Sequence, residues 1–359
     1  MQTIGIACFG AFLALQTPAA AQDTAPSLST IVEAWRNSPH ADSSTEAFRH
    51  WDEEGEIPGT CAVCHSSVGA AEYMGGAMET IGALDHPVPI GTTVNCVACH
   101  STAAGALQSV PFPSGERISG LGTSAVCSVC HQGRAWTGSV DKAAQGVEDD
   151  AVSAEISFVN SHYLVAGATR QGTMARGGYE YAGKTYAGPF AHVPQFSSCA
   201  SCHSPHALSI NPEPCTECHK GASEFEQIRV SRQDFDGDGD VAEGIADPIA
   251  TLHQLLGQAI ADYANEVAGA PIIYASSSYP YFFQDTDGDG GVSEGEAQFP
   301  NRYTSWTPRL LKAAYNYQFV AKDGGAFSHN PHYALQLLYD SLASLSDKVA
   351  VDISSLTRP

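Results

Sequence analysis

Five copies of Cys-x-x-Cys-His run through this chain, and nothing else in it limits the fold so strongly. They are Cys61-Ala-Val-Cys64-His65, Cys96-Val-Ala-Cys99-His100, Cys127-Ser-Val-Cys130-His131, Cys199-Ala-Ser-Cys202-His203 and Cys215-Thr-Glu-Cys218-His219. Two thiols three residues apart suit the two vinyl groups of one haem, and the adjoining imidazole then reaches the iron as an axial ligand. A single copy would say little, because Cys-x-x-Cys also serves zinc and thiol exchange. Zinc pairs two such units and needs no histidine directly after every second cysteine. Disulfides explain an even number of cysteines but not five histidines. Ten of the 11 cysteines fall in these motifs; the other, Cys8, lies in an apolar N-terminal run. The pattern predicts five covalently attached haems.

Spacing then predicts organisation. The last two motifs are separated by only 11 residues, Ser204 to Pro214, so their irons should be close. The gap from His131 to Cys199 is much longer and must hold more structure. We expect a mainly α fold with much irregular loop. Residues 22–55 form an N-terminal segment. Residues 56–225 form a pentahaem region of loops and short helices, in which the haems supply much of the core. Residues 226–359 form a helical region with two acidic loops, packed back on the rest. A short strand pair is expected near "GGYEYAGKTYAGPF", where aromatic positions alternate.

Each haem iron takes two axial ligands. Outside the motifs stand nine histidines: His40, His50, His86, His162, His192, His206, His253, His329 and His332. After the initiator the only methionines are Met74, Met78 and Met174, so histidine pairs are the expected ligation, with lower potentials than His/Met. Five candidates stand out. His206 lies three residues after His203, too near to serve its own haem easily but able to serve a neighbour. His192 and His86 precede Cys199 and Cys96 and are closely followed by proline, which limits chain freedom. His162 lies in the long gap. His329 stands just outside a helix begun by Asn330 and Pro331, with His332 one turn in as its competitor. His253 lies beside the helical stripe Ile249, Leu252, Leu256, Ile260 and Tyr263, at the edge of a packed face. His40 and His50 sit in a polar region and are expected to face solvent or support other groups.

Beyond Lys220 the motifs stop and helical patterns begin. Asp247-Pro248, Thr307-Pro308 and Asn330-Pro331 share one start signal, an N-cap followed by proline. Between these helices lie two loops with calcium-ligand spacing. In "DTDGDGGVSEGE", Asp285, Asp287 and Asp289 take positions 1, 3 and 5, and Glu296 takes position 12. In "DFDGDGDVAEGI", Asp234, Asp236 and Asp238 begin alike, but position 12 is Ile245. Asp240 and Glu243 are the substitutes there. Neither loop has a clear entering helix, so these are calcium loops without a true EF-hand pair.

Thirty-nine acidic side chains against 17 basic ones, a formal charge of −22, exclude nucleic acid as a partner, because phosphates need Lys and Arg. The balance suits metal ions or cationic partners. Met1 to Ala21 reads as a secretory signal ending in small residues, although no basic residue precedes its apolar run. No later stretch reaches the length of a membrane span. We expect an exported chain, periplasmic or extracellular.

With these motifs in place the chain resembles the multihaem c-type cytochromes, most of all the exported, membrane-associated polyhaem members. The segments that carry the likeness include "FPSGERISGLG", "CHQGRAWTGSV", "SHYLVAGATRQGTMARGGYEYAGKTYAGPFAHVPQFSSCASCHSPH", "DFDGDGDVAEGI" and "YPYFFQDTDGDGGVSEGEA", and it covers most of the mature chain. The resemblance implies bis-histidine haems and electron transfer to redox partner proteins or extracellular acceptors. Carried over by position, it favours His162, His192, His206 and His329 as distal ligands and says less about His86. Some multihaem cytochromes stack into filaments, so self-assembly is a further implied possibility. The competing reading is a reductase of a small oxidised nitrogen or sulfur species, which needs one open haem iron. Nothing in the motifs marks such an iron.

Overall fold

The computed structural model describes residues 26–76 and 78–359. The expected signal, Met1 to Ala21, and Cys8 lie outside the described residues. The chain is mainly helical with much irregular structure. Its first part holds only short helices: α1 (Leu28–Arg36), α2 (Glu46–Arg49), α3 (Gly59–His65), α4 (Ser67–Gly75), α5 (Cys96–His100), α6 (Thr102–Ala106), α7 (Ser124–Cys130), α8 (Thr137–Ala143) and α9 (Ala166–Gln171). Longer helices follow: α10 (Ala246–Glu266), α11 (Pro308–Ala321) and α13 (Pro331–Ser346), with the single turn α12 (Ala326–His329) between the last two. Three antiparallel two-stranded ribbons are added: β1 (Glu56–Ile57) with β2 (Val88–Pro89), β3 (Ser109–Pro111) with β4 (Arg117–Ser119), and β5 (Ile272–Tyr274) with β6 (Phe282–Gln284).

Local chemistry sets the helix starts. Asn95, Ser66 and Ser101 cap α5, α4 and α6 by accepting first-turn backbone N–H groups. Thr307 caps α11 through Leu310 N, and Asn330 caps α13 through Tyr333 N, each followed by proline. The third expected cap differs. α10 opens two residues earlier, at Ala246 rather than Pro248, and Asp247 lies in its first turn. Its negative charge still suits the positive end of the helix dipole.

The long helices build the main core. Ile249, Leu252, Leu256, Ile260 and Tyr263 of α10 meet Leu310, Leu311 and Tyr315 of α11 and Leu335, Leu338, Leu342 and Leu345 of α13, all buried. Each such leucine contributes roughly 1.5–3 kcal/mol by leaving water. Ala135, Val140, Ile156 and Tyr179 enter the same core, so the stretch between the third and fourth motifs is packed on the C-terminal helices. A second cluster gathers Val63, Tyr73, Phe112, Ile118 and Val129 from the motif region with Phe319, Tyr333 and Leu337 from α11 and α13.

The expected strand pair over residues 177–190 does not form; that stretch is irregular. Side-chain groups, most of them on helices, take the place of a ladder partner. Asn316 of α11 accepts from Tyr179 N at 2.6 Å and donates to Tyr179 O at 3.0 Å. Thr137 Oγ1 accepts from Glu180 N, Tyr186 Oη from Tyr181 N, and Gln336 Oε1 from Ala187 N.

Candidate functional site

One helical turn aligns positions i, i+3 and i+4 on a single face, which is the spacing of Cys, Cys and His in each motif. The first three motifs lie on or at the ends of α3, α5 and α7, and the last two on 3₁₀ turns, Cys199–Ser201 and Glu213–Glu217. In the third, fourth and fifth motifs the histidine N–H donates to the carbonyl of the first cysteine at 2.8–2.9 Å. The five motifs therefore share one local geometry.

Each motif histidine faces one other histidine. His65 faces His162 with ring centres 6.1 Å apart, and His100 faces His206 at 6.2 Å. His131 faces His40 at 6.2 Å, His203 faces His329 at 6.3 Å, and His219 faces His192 at 6.1 Å. A metal–imidazole bond is about 2 Å. A five-membered ring with bonds of about 1.35 Å has its atoms about 1.15 Å from its centre. Two imidazoles on opposite sides of one iron thus stand about 6.3 Å apart, centre to centre. All five gaps agree with this, although the rings make no direct bond. The residues present fit bis-histidine haem at five places.

The partners come from distant parts of the chain. His162 has φ +70°, a conformation that non-glycine residues rarely adopt. It is pinned by Asn160 Oδ1, which accepts from His162 N, and by Gln318 of α11, which accepts from Ser161 N and Oγ. Burial, and then the neighbouring charges of His65, Arg134 and Lys322, press the His162 pKa down to about 4. His329 ends α12, directly before the Asn330 cap of α13. His206 faces neither adjacent motif histidine; it lies nearly parallel to His100, at 11°. His192 faces His219, not the nearer His203.

His86 does not face a motif histidine. Its ring is exposed and bonded to Asp85 at 2.7 Å and Glu72 at 3.1 Å. The ring opposite His131 is His40, expected in the sequence to face solvent. Its carbonyl accepts from Val94 N at 3.1 Å, and Trp35 Nε1 donates to Val94 O, so α1 and the second-motif approach hold it in place. One signal could have found it. Ser38-Pro39-His40-Ala41 repeats the Ser204-Pro205-His206-Ala207 around another facing histidine. The remaining histidines pack elsewhere. His253 stacks on Tyr317 and bonds its carbonyl, His332 packs on Phe235, and His50 bonds Glu46 beside Trp51.

α7 stands at the centre of the set. The thiol of Cys130 meets that of Cys64 in the first motif, and Cys127 meets Cys199 in the fourth. Cys199 N also donates to Ser124 Oγ at the start of α7. The third site therefore touches the first and the fourth. His131 reflects this crowding: burial, then the charges of His40, His203 and His329, press its pKa down to about 4.

The acidic loops form two further clusters. Carboxylate oxygens of Asp285, Asp287 and Asp289 converge within 4.8 Å, as do those of Asp234, Asp236 and Asp238. Glu296 closes its loop by accepting from Thr286 N and Oγ1 and from Ser293 N. In the first loop Asp240 instead accepts from Ala242 N, and Glu243 pairs with Arg229 at 3.0 Å; neither joins the cluster. Asp236 is buried, and its Oδ1 has no hydrogen-bond partner. A strand precedes the second loop and extended chain the first, so neither is flanked by two helices.

No described helix is long and apolar enough to cross a membrane. No protein-family profile matches the chain, and no solved structure does. Two relatives do. The C-type polyheme cytochrome OmcB of Geobacter sulfurreducens is 26% identical over 388 residues, covering 89% of this chain and 48% of that protein. The C-type polyheme cytochrome OmcC of the same species is 26% identical over 411 residues, covering 93% of this chain and 49% of that protein. The chain thus spans about half the length of these relatives. The chain is thus similar to multihaem c-type cytochromes over most of its own length, and it carries the Cys-x-x-Cys-His motif five times.

Proposed function

We propose that this chain carries electrons on five covalently held haems, each with two histidine ligands, and that it is exported to the periplasm or cell exterior. The observation that supports this best is the one-to-one match of five motif histidines with five others at the spacing of a shared iron. Cys61/Cys64, Cys96/Cys99, Cys127/Cys130, Cys199/Cys202 and Cys215/Cys218 would hold the porphyrins. Each bound haem supplies an iron that takes up and releases one electron. The protein holds the ligand rings, excludes water and sets the local field. All ten ligand rings come from one chain, so no histidine from a second copy is needed, even if copies stack as filaments. Redox partner proteins or extracellular acceptors would complete the path.

Two other readings are less well supported. A reductase needs an open iron, whereas every motif histidine has an opposing ring. A disulfide framework would use the Cys64–Cys130 and Cys127–Cys199 contacts but explains no histidine pair. The test is the protein purified from a host that attaches haem. We expect an intact mass with five haems, and a Soret band that cyanide does not shift. A haem-free, cross-linked mass, or a cyanide-sensitive band, would sink this reading.

We further propose that the acidic loops bind calcium. A divalent cation would neutralise three converged carboxylates in each and give the buried Asp236 Oδ1 a partner. Calcium at 100 times its dissociation constant should add about 2.7 kcal/mol of stability. Melting of the holoprotein with calcium and with chelator measures this, and identical curves would count against it.

A further inference from the structure

The five histidine pairs are not electrostatically alike. His329 Nδ1 lies 2.7 Å from Asp323 Oδ1. Asp323 is 5% exposed, and its second oxygen is buried without a hydrogen-bond partner. The turn that joins them is tight. Gly325 N also donates to Asp323 Oδ1, and a Cβ on Gly325 would meet the His329 ring at 2.7 Å. Among the described residues no other ring of the five pairs is bonded to a carboxylate. His65 uses a neutral acceptor, the Ala47 carbonyl, at 2.7 Å. The cation facing the His329 pair is Arg170. Its guanidinium is engaged by Ser124 Oγ and the Ser197 carbonyl, not by Asp323. The His65–His162 pair, in contrast, is faced by the cations Arg134 and Lys322.

A carboxylate that accepts the Nδ1 proton of a ligating histidine makes the ring a stronger donor to the metal. A buried negative charge also favours the more positive metal state, and does so more in a low dielectric. We propose that Asp323 is a positioning residue that gives the haem held by Cys199, Cys202, His203 and His329 the lowest reduction potential of the five. This rests on the haem reading above. The equilibrium concerned is one iron taking one electron from an external reductant such as dithionite, with Asp323 left in place.

The test is a potentiometric titration of the holoprotein with Asp323→Asn, which keeps the shape and removes the charge. The lowest of the five one-electron steps should rise by at least about 59 mV, a tenfold fall in its ferric-to-ferrous ratio at a fixed potential. Asp323→Glu should restore a low step, and the distant exposed Asp352→Asn should move nothing comparable. A second variant, His329→Met, labels the step, because methionine ligation raises the potential. The lowest step should be the one that disappears. Five haems with no shift in Asp323→Asn, or loss of a different step in His329→Met, overturns the assignment. Fewer than five haems in the unaltered protein is a separate result, and it strikes the haem reading itself.

Discussion

The motif region and the C-terminal helices solve the problem of a core in different ways. α10, α11 and α13 bury continuous apolar stripes against one another, down to Leu252, Leu310 and Leu338 at 0% exposure. The region around α3, α5 and α7 has helices of five to seven residues. Isolated helices that short are unstable in water. Several of its large apolar side chains, including Val68, Ile81 and Val97, stay exposed. One region is held by side-chain packing. The other has short helices around a smaller apolar cluster that includes Val63, Tyr73, Phe112 and Val129. They are joined where Phe319, Tyr333 and Leu337 pass from the helices into the motif cluster.

The contrast can be broken most severely by withholding haem. If the ten motif cysteines are changed to alanine, amide exchange should lose protection across residues 59–131, while α10, α11 and α13 keep more of theirs. Equal loss in both regions, or none in either, would show that the two are not stabilised differently. Next in size is a cavity in the helical core. Leu338→Ala should cost about 2–5 kcal/mol in chemical unfolding of the holoprotein. Val97→Ala, at a 44% exposed site, should stay within about 0.5 kcal/mol.

A smaller effect sharpens the seam. Asn316 is buried and bonds both backbone groups of Tyr179, together with Ser341 Oγ. Asn316→Ala leaves those groups unpaired and should cost about 1–3 kcal/mol, with faster exchange at the Tyr179 amide. An unchanged Tyr179 amide would show that the bond does not hold the 177–190 stretch.

What could be read in advance follows the same division. The attachment motifs are local, since i, i+3 and i+4 fall on one turn whatever the rest of the chain does. The caps at Thr307 and Asn330 and the leucine face of α13 are local too. The facing histidines are not. His206 lies three residues from one motif and meets another, and His192 passes over the nearer His203 for His219. Apart from the repeated Ser-Pro-His-Ala around His40, His40 and His86 are distinguished only through space: His40 is tied to Val94 and His86 to two surface carboxylates. The strand pair failed for a related reason: alternating aromatics specify a ribbon only if no side-chain amide takes the backbone first, and Asn316 does so.

The central claim is that each motif histidine shares one iron with the particular histidine it faces, and His40 offers the most direct test. Spin-state spectroscopy of the holoprotein should find five low-spin haems. His40→Ala should convert one of them to a high-spin, cyanide-binding form, while His86→Ala leaves all five low-spin. The opposite outcome, a changed haem in His86→Ala and none in His40→Ala, would contradict the pairing.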